Sequence, residues 1–318
     1  MKLLKIHSLV IVGLLVALMP LIHVHAAKIS QLTVEDKKDF VLEPGKIEIF
    51  LNPGETVKRN ISIINRTNRK SDFKIEIEDF VGSDNPNTPV ILLGNDKSPY
   101  SFKDNLVPEL KTFSLEFGQK IELPIEIQVP ANAQPGGFYS SVIVSSVPSA
   151  DEAASQTGAK IISRVGVLMF IRVNGQAEQG GEVSDFRIGG GEGSVMQHGP
   201  VPFEILFKNT GSVHLVPFGE ITIRNMLGKQ VAKLPVDAYF SLPKSVRYRQ
   251  VEWEQSRLFG RYTAELKMND GYDGKEEIKK IAFWVIPWSY IAIVAVVLFI
   301  ISFIVYFIRS RFEFKRKS

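Results

Sequence analysis

Apolar and polar residues alternate with a period of two along much of this chain. The alternation is clearest at 46–50 (KIEIF), 73–79 (FKIEIED), 120–129 (KIELPIEIQV) and 220–225 (EITIRN). A period of two puts one face of a strand against a core and the other in water. Turn-forming sequences such as NPG and NTG separate these runs. Many short strands joined by turns predict an all-β fold, built of antiparallel sandwiches of the Ig-like or fibronectin III-like kind.

The strand pattern occurs twice, which predicts two tandem sandwiches. In each half an alternating strand ends at an Asn, Asn65 or Asn209, and a turn containing Thr follows. Later in each half a Gly-x-Tyr sequence opens another strand. A polar, Gly-rich segment around Gly180 separates the halves. The predicted sandwiches therefore cover 27–180 and 181–286.

The repeated Gly-x-Tyr sequence predicts a tyrosine corner in each sandwich. In Ig-like domains a Tyr near the start of a late strand hydrogen-bonds back to nearby backbone. Tyr139 and Tyr262 are the candidates, and Gly137 and Gly260 supply the freedom that the preceding turn needs. Binding of a ligand by Gly136 and Gly137 is the alternative, which is less favoured because no helix N-terminus follows to hold an anion.

The two ends of the chain predict export and membrane anchoring. Residues 1–26 combine two Lys, a short apolar run and a terminal VHA sequence, the pattern of a cleaved signal peptide. An uncleaved N-terminal anchor is the alternative. Residues 289–308 carry no charge and suffice for a helix that crosses a bilayer, with a buried core helix as the alternative. The predicted transmembrane helix covers 287–308, and a basic tail covers 309–318.

Aromatic and basic residues flank the predicted span. Trp284, Trp288 and Tyr290 lie at its start, and Arg309 and Arg311 follow it. Aromatic rings favour the membrane interface, and basic residues favour the cytoplasmic side. The sequence thus predicts a single-pass protein of the cell membrane, with its N-terminal ectodomain outside and its short tail in the cytoplasm.

The positive charge of the chain lies at its ends. The full sequence has 38 Lys and Arg against 34 Asp and Glu. The predicted signal peptide and tail hold the excess, so the predicted ectodomain is slightly acidic. Nucleic-acid binding needs a basic surface. No nucleic-acid partner is therefore expected.

Residues that carry enzyme chemistry are sparse in the predicted ectodomain. The chain has no Cys, and only His198 and His214 lie beyond the predicted signal peptide. Both are predicted to lie in solvated loops, and neither belongs to a zinc-binding sequence. A solvated sheet face explains the strand glutamates better than a glycosidase pair does: Glu76, Glu78, Glu122 and Glu126. We expect no enzyme activity, cofactor, metal site or small-molecule substrate.

The segment 79–102 is the candidate binding loop. Tyr100 and Phe102 lie near Pro99 in it, which predicts either an exposed aromatic contact surface or a cap on the core. The segment also holds several Asp and Asn residues, among them Asp84 and Asn87. Turn formation explains them better than calcium binding, which is left open.

Three stretches resemble the WxL-interacting proteins of Gram-positive cell surfaces. They are IFLNPGETVKRNISIINRTNRKSDFKIEIEDF (49–80), IQVPANAQPGGFYSSVIV (127–144) and SRVGVLMFIRVNG (163–175). The likeness covers roughly 46–175. It implies an N-terminal Ig-like domain associated with peptidoglycan, a second domain associated with partner proteins, and one span that anchors both. No ligand-binding residue of that family is matched in this chain.

These features predict a non-enzymatic bacterial surface protein. Its two Ig-like modules are expected to bind cell-wall glycan (peptidoglycan) or a surface protein partner, which could add a strand to an exposed sheet edge. The alternative is an extracytoplasmic chaperone or assembly factor for surface proteins.

Overall fold

The computed structural model describes residues 27–83, 85, 88–147, 162–190, 195–272 and 274–311. The predicted signal peptide and most of the predicted tail lie outside these residues. The described chain consists of β-strands, a short 3-10 helix (Lys103–Asn105) and a C-terminal apolar helix. The predicted fold class, two antiparallel β-sandwiches followed by one C-terminal helix, is confirmed.

Two facing sheets make up the first module. Its strands are β1 (Lys28–Gln31), β2 (Phe40–Glu43), β3 (Lys46–Leu51), β4 (Thr56–Asn65), β5 (Ser71–Gly82), β6 (Val90–Leu92), β7 (Leu106–Pro108), β8 (Thr112–Leu115), β9 (Gln119–Gln128), β10 (Gly136–Val147) and β11 (Arg164–Val173). One sheet has the order β1-β9-β4-β2, with β7 also on β9. The other has the order β3-β11-β10-β5-β6, with β8 also on β5. Pairing is antiparallel except between β3 and β11.

Alternation along each strand selects the face that is buried. In β3, Ile47, Ile49 and Leu51 join the core, whereas Lys46 and Glu48 lie on the outer face. The core between the two sheets is mainly aliphatic. Burying one such side chain fully contributes about 1.5–3 kcal/mol, so the many aliphatic residues of this core hold the first module together.

The second module is a smaller sandwich with its own core. Its strands are β12 (Gly181–Ile188), β13 (Val195–Met196), β14 (Val201–Asn209), β15 (Phe218–Asn225), β16 (Gln230–Val236), β17 (Val246–Trp253), β18 (Gly260–Asn269) and β19 (Glu276–Val285). The sheet orders are β12-β14-β17 and β13-β19-β18-β15-β16. The cores of the two modules share no residue. The predicted boundary near Gly180 lies between the end of β11 and the start of β12.

The second module has two ends with different neighbours. At the junction end, where Phe218 pairs with Asn269, it contacts the first module. At the helix end, Asn225 pairs with Tyr262 and Gly260 pairs with Val285. The helix α1 (Trp288–Arg311) starts three residues after Val285. Its 24 residues rise about 36 Å, enough to cross a membrane, and the helix is also apolar enough to do so.

Candidate functional site

Tyr139 connects the two modules instead of closing a corner within the first. Its side chain is fully buried, and its hydroxyl oxygen accepts a hydrogen bond of 2.7 Å from the backbone N–H of His214. The tyrosine-corner prediction is therefore wrong for Tyr139. The reason is that Tyr139 lies on the outer face of its sheet, and the second module covers that face.

Gly137 is required at this contact because a side chain has no room there. A Cβ atom at Gly137 would lie 2.0 Å from the Tyr139 hydroxyl oxygen. The backbone N–H of Gly137 also donates to the carbonyl of Ser212 in the second module, at 3.1 Å. The sequence PGGFY thus forms a close approach between modules, and its second Gly makes space for the Tyr hydroxyl.

Tyr262 makes the local contact that the sequence predicts for a corner. Its hydroxyl donates to the backbone carbonyl of Phe259, three residues earlier, at 3.2 Å. Gly260 between them has φ of +101°, a conformation that L-residues with a side chain rarely adopt. The same Gly-x-Tyr sequence therefore serves two different purposes in the two modules.

His214 is buried at the junction, so the prediction that it lies in a solvated loop is wrong. Only 4% of its surface is exposed. Its Nε2 lies 2.8 Å from the Oε1 of Glu48, and its Nδ1 lies 3.3 Å from the Tyr139 hydroxyl. A carboxylate can only accept, so Nε2 carries a proton and donates to Glu48; when the ring is neutral, its Nδ1 then accepts from the Tyr139 hydroxyl.

Burial decides the protonation preference of His214, and hydrogen bonds decide that of Glu48. It lowers the pKa of His214 below 6.5, and the hydrogen bond and charge of Glu48 only partly oppose that effect. Burial would raise the pKa of Glu48, but hydrogen bonds from Lys46 and His214 outweigh it and lower that pKa. At neutral pH a neutral imidazole therefore donates to a carboxylate across the junction.

An aromatic cluster surrounds these polar contacts. Phe170 lies edge-on to Tyr139 at 5.4 Å between ring centroids and to His214 at 4.9 Å. From the second module, Phe240 packs edge-on against Phe170 at 5.3 Å, and Leu242 is fully buried in the same cluster. Such aromatic pairs contribute about 0.5–1.5 kcal/mol beyond area burial. The cluster gives the two modules a shared apolar contact.

A groove of about 350 Å³ opens beside this junction. Arg172 crosses it, with its guanidinium 4.8 Å from the ring centroid of Tyr272 and 5.7 Å from that of Phe50. Phe50 belongs to the first module and Tyr272 to the second, so one cation contacts aromatic rings of both. Glu48 and His214 also line the groove.

The candidate binding loop is held down by a buried carboxyl group. One oxygen of Asp79 accepts from the backbone N–H groups of Phe102 and Lys103, both at 2.8 Å, and from the Ser140 hydroxyl at 2.5 Å. Phe102 is 2% exposed and belongs to the first core, and half-buried Tyr100 packs on Tyr139. Phe102 therefore caps the core, and an exposed aromatic surface built on it is ruled out. Asp84 and Asn87 lie outside the described residues.

The first module has an open sheet edge next to β3. β3 covers β11 only from Leu168 onward, where the N–H of Leu168 donates to the Gly45 carbonyl. Since alternate residues direct their backbone groups to opposite sides of a strand, those of Arg164 and Gly166 face the same uncovered side. No strand pairs there among the residues that the structure describes. Ile162 and Val165, 54% and 40% exposed, add apolar surface.

A second open edge, on β19, is protected. β13 covers β19 only at Trp284 and Val285. Along the remainder, Glu277 and Lys279 form an ion pair of 3.0 Å, and Glu277 also accepts from the Val183 N–H. Charged side chains on an edge discourage pairing with another chain. On the β11 edge Arg164 pairs with Glu78, but the two residues that follow it, Val165 and Gly166, carry no charge.

The strand glutamates lie in ion pairs on outer sheet faces. Glu76 pairs with Lys74 and Glu78 with Arg164, each at 2.7 Å. Glu122 and Glu126 pair with Lys120 and Lys58. Among the described residues, no three His, Asp or Glu side chains come together as a metal site would require.

The residues predicted to anchor the chain lie around the start and end of α1. Trp284 is in β19 with 43% of its surface exposed, while Trp288 and Tyr290 form the first turn of α1. Arg309 and Arg311 lie in the last turn. Their role at a membrane interface stays a prediction.

Comparison with known proteins gives distant structural likeness only. No protein-family model and no curated protein matches the chain. The class 5 fimbriae chaperone CfaA is 12% identical, with 78% of this chain and 100% of that one covered and a TM-score of 0.37. The chaperone–tip subunit pre-assembly complex CsuC–CsuE of Acinetobacter baumannii is 13% identical, covering 76% and 98%, with a TM-score of 0.37. The E. coli chaperone DraB is 12% identical, covering 78% and 97%, with a TM-score of 0.34.

Proposed function

We propose that this chain is a non-enzymatic, membrane-anchored surface protein that binds a protein partner through the open edge of β11. The observation that carries the proposal is this edge, where backbone N–H and C=O groups face outward beside exposed apolar side chains. An extended peptide segment satisfies such groups by adding a strand. The sugar strands of peptidoglycan offer no matching ladder of backbone groups, so the geometry favours an extended protein segment over those sugar strands.

The junction supports this role by fixing the modules relative to each other. Hydrogen bonds from His214 and Gly137, the shared aromatic cluster and the Arg172 contacts all cross between them. The binding edge is on the first module, and the anchor follows the second. A firm junction thus holds the edge at a set distance from the membrane.

A matched pair of variants tests the edge. Arg164→Pro and Arg164→Ala both remove the ion pairs to Glu78 and Glu76, but only Pro removes the outward backbone N–H. A photo-crosslinking residue at Ile162, in the full chain in native membranes, reports a bound segment. We expect a discrete protein adduct that R164A retains and R164P loses. An equal yield in both variants, or retention of both by isolated peptidoglycan without an adduct, contradicts the proposal.

A chaperone for surface proteins is the second candidate, because the same edge suits an incompletely paired client strand. The two roles differ in the lifetime of the complex. A pulse-chase of the Ile162 adduct shows a client passing through and leaving if the protein is a chaperone. A scaffold keeps the same partner throughout the chase.

A further inference from the structure

We propose that the helix end of the second module is a membrane-docking surface that rests on anionic lipid headgroups beside α1. The proposal depends on the membrane anchoring proposed above. It goes further by assigning a lipid-binding role to the sandwich itself, at loops separate from the β11 edge and from the junction.

Three large apolar side chains project from this end. Met226 and Leu227 form the turn between β15 and β16, with 62% and 85% of their surfaces exposed, and Phe259 precedes β18 with 69% exposed. The two loops are neighbours, since a Cβ atom at Gly260 would lie 3.1 Å from the Met226 Cε. Clustered apolar side chains of this size indicate a contact surface.

Basic side chains surround the apolar residues. A groove of about 320 Å³ lies between the turn and β18, lined by Arg224, Arg261, Lys280 and Glu265. Lys280 and Glu265 form an ion pair of 2.7 Å, which leaves the two arginines as excess positive charge. No ion pair engages either arginine among the described residues. The groove therefore presents guanidinium groups of the kind that bind phosphate.

The further charges of the described residues at this end balance, since Glu252 and Glu254 match Lys229 and Arg257, so the two arginines of the groove supply the net positive charge. Lys229 follows the turn, and Arg257 lies in the loop before Phe259, with the exposed Glu254 as the described acidic residue of that loop. Apolar side chains projecting from a basic surface match a bilayer that contains anionic lipid, where headgroup phosphates lie above the acyl chains. A second copy of this basic surface would repel it, so charge argues against self-association here.

The connection to α1 makes contact with headgroups unavoidable when α1 spans a membrane. Only Ile286 and Pro287 separate β19 from α1, and three extended residue steps reach about 10 Å. The N–H of Ile286 also donates to the Met196 carbonyl at 2.8 Å, which ties the connection to β13. The helix end of the module is thus held at headgroup level.

Single cysteines test the depth of this surface, since the chain contains no Cys. The full chain is placed in nanodiscs of phosphatidylcholine with phosphatidylglycerol, carrying a fluorophore at Leu227→Cys or Phe259→Cys and a quencher on the lipid. Phe218→Cys is the matched control, because it is 48% exposed and lies on β15 at the opposite end, about 23 Å away. We expect at least threefold stronger quenching at 227 and 259 than at 218.

Charge variants test the role of anionic lipid. Arg224→Gln with Arg261→Gln is expected to reduce quenching at 227 by half or more. Lys28→Gln with Arg59→Gln, which removes two exposed cations of the first module, is expected to leave it unchanged. Discs of phosphatidylcholine alone should resemble the double arginine variant. Equal quenching in all of these samples contradicts the role assigned to the arginines.

A label on α1 separates failure of this proposal from failure of the anchor. If Val297→Cys is not quenched, α1 is not in the bilayer and the proposed anchoring fails. If Val297→Cys is quenched while 227 and 259 match 218, the anchor stands and the docking surface is overturned. Disulfide-linked dimers through Leu227→Cys, in place of quenching, would assign the surface to self-association and also overturn it.

Discussion

Replacing Tyr139 by Phe removes a single oxygen atom from the contact between the modules. The backbone N–H of His214 then loses its acceptor at 2.7 Å, in a place where His214 is 4% exposed. A buried donor left without a partner costs about 1–3 kcal/mol. The 3.3 Å contact to the imidazole is longer and adds less. We expect the free energy of unfolding to fall by about 2 kcal/mol, roughly thirtyfold in the folding equilibrium.

Tyr262→Phe is the matched control for this loss. Its partner Phe259 is 69% exposed, so water can replace the lost hydroxyl and the cost should be about 0.5 kcal/mol. Urea unfolding of the full chain in detergent gives both values. Tryptophan fluorescence reports the second module and the start of α1, where all three Trp lie, and circular dichroism reports both sandwiches. If Tyr139→Phe costs no more than Tyr262→Phe, the junction does not depend on the Tyr139 hydroxyl.

Three further changes probe the same region. Burial lowers the pKa of His214 below 6.5, so the unfolded chain binds more protons than the folded chain does. The free energy of unfolding should therefore be constant above pH 6.5 and fall as the pH drops below it. His214→Gln should flatten the profile of urea midpoint against pH between pH 7 and 5. Gly137→Ala should cost roughly 1–3 kcal/mol by overpacking. The cost should be smaller in a Tyr139→Phe background, which removes the closest clashing atom, the hydroxyl oxygen, and leaves the ring Cζ at 2.7 Å as the nearest atom. A double-mutant cycle of melting temperatures measures the difference. Asp79→Ala leaves two N–H groups and the Ser140 hydroxyl without their acceptor. It should therefore lower the free energy of unfolding by about 3 kcal/mol or more and speed proteolysis of the loop 94–105. An unchanged cleavage rate would show that other contacts hold the loop.

Local pattern was sufficient to predict the sandwiches, because a strand with one buried face needs only alternation and turns. The wrong predictions concern contacts between residues far apart in sequence. His214 lies in a polar turn, NTGSVH, and nothing local signals that a second module covers it. His214 and Tyr139 are 75 positions apart, and a contact between residues so far apart produces no periodic pattern in a single sequence.

The two Gly-x-Tyr sequences are alike, but their residues have different structural roles. Gly260 is needed for its positive φ, whereas Gly137 is needed because a Cβ atom would strike Tyr139. Both demands select Gly, so the sequence does not distinguish them. Phe102 is a related case. The local sequence around an aromatic residue in a long loop is the same whether the side chain projects into solvent or closes a core.

The short tie between β19 and α1 also has a mechanical consequence. If a partner binds the first module and α1 spans a membrane, as proposed, a pull from that partner enters the second module at its junction end and leaves through β19 at its helix end. The force then runs along the strands, and β19 is paired with β18 over ten residues. A force in that direction loads the hydrogen bonds between β18 and β19 in shear, so they resist the force together instead of breaking one after another. The second module would thus act as a tension link between the proposed binding edge and the proposed membrane anchor.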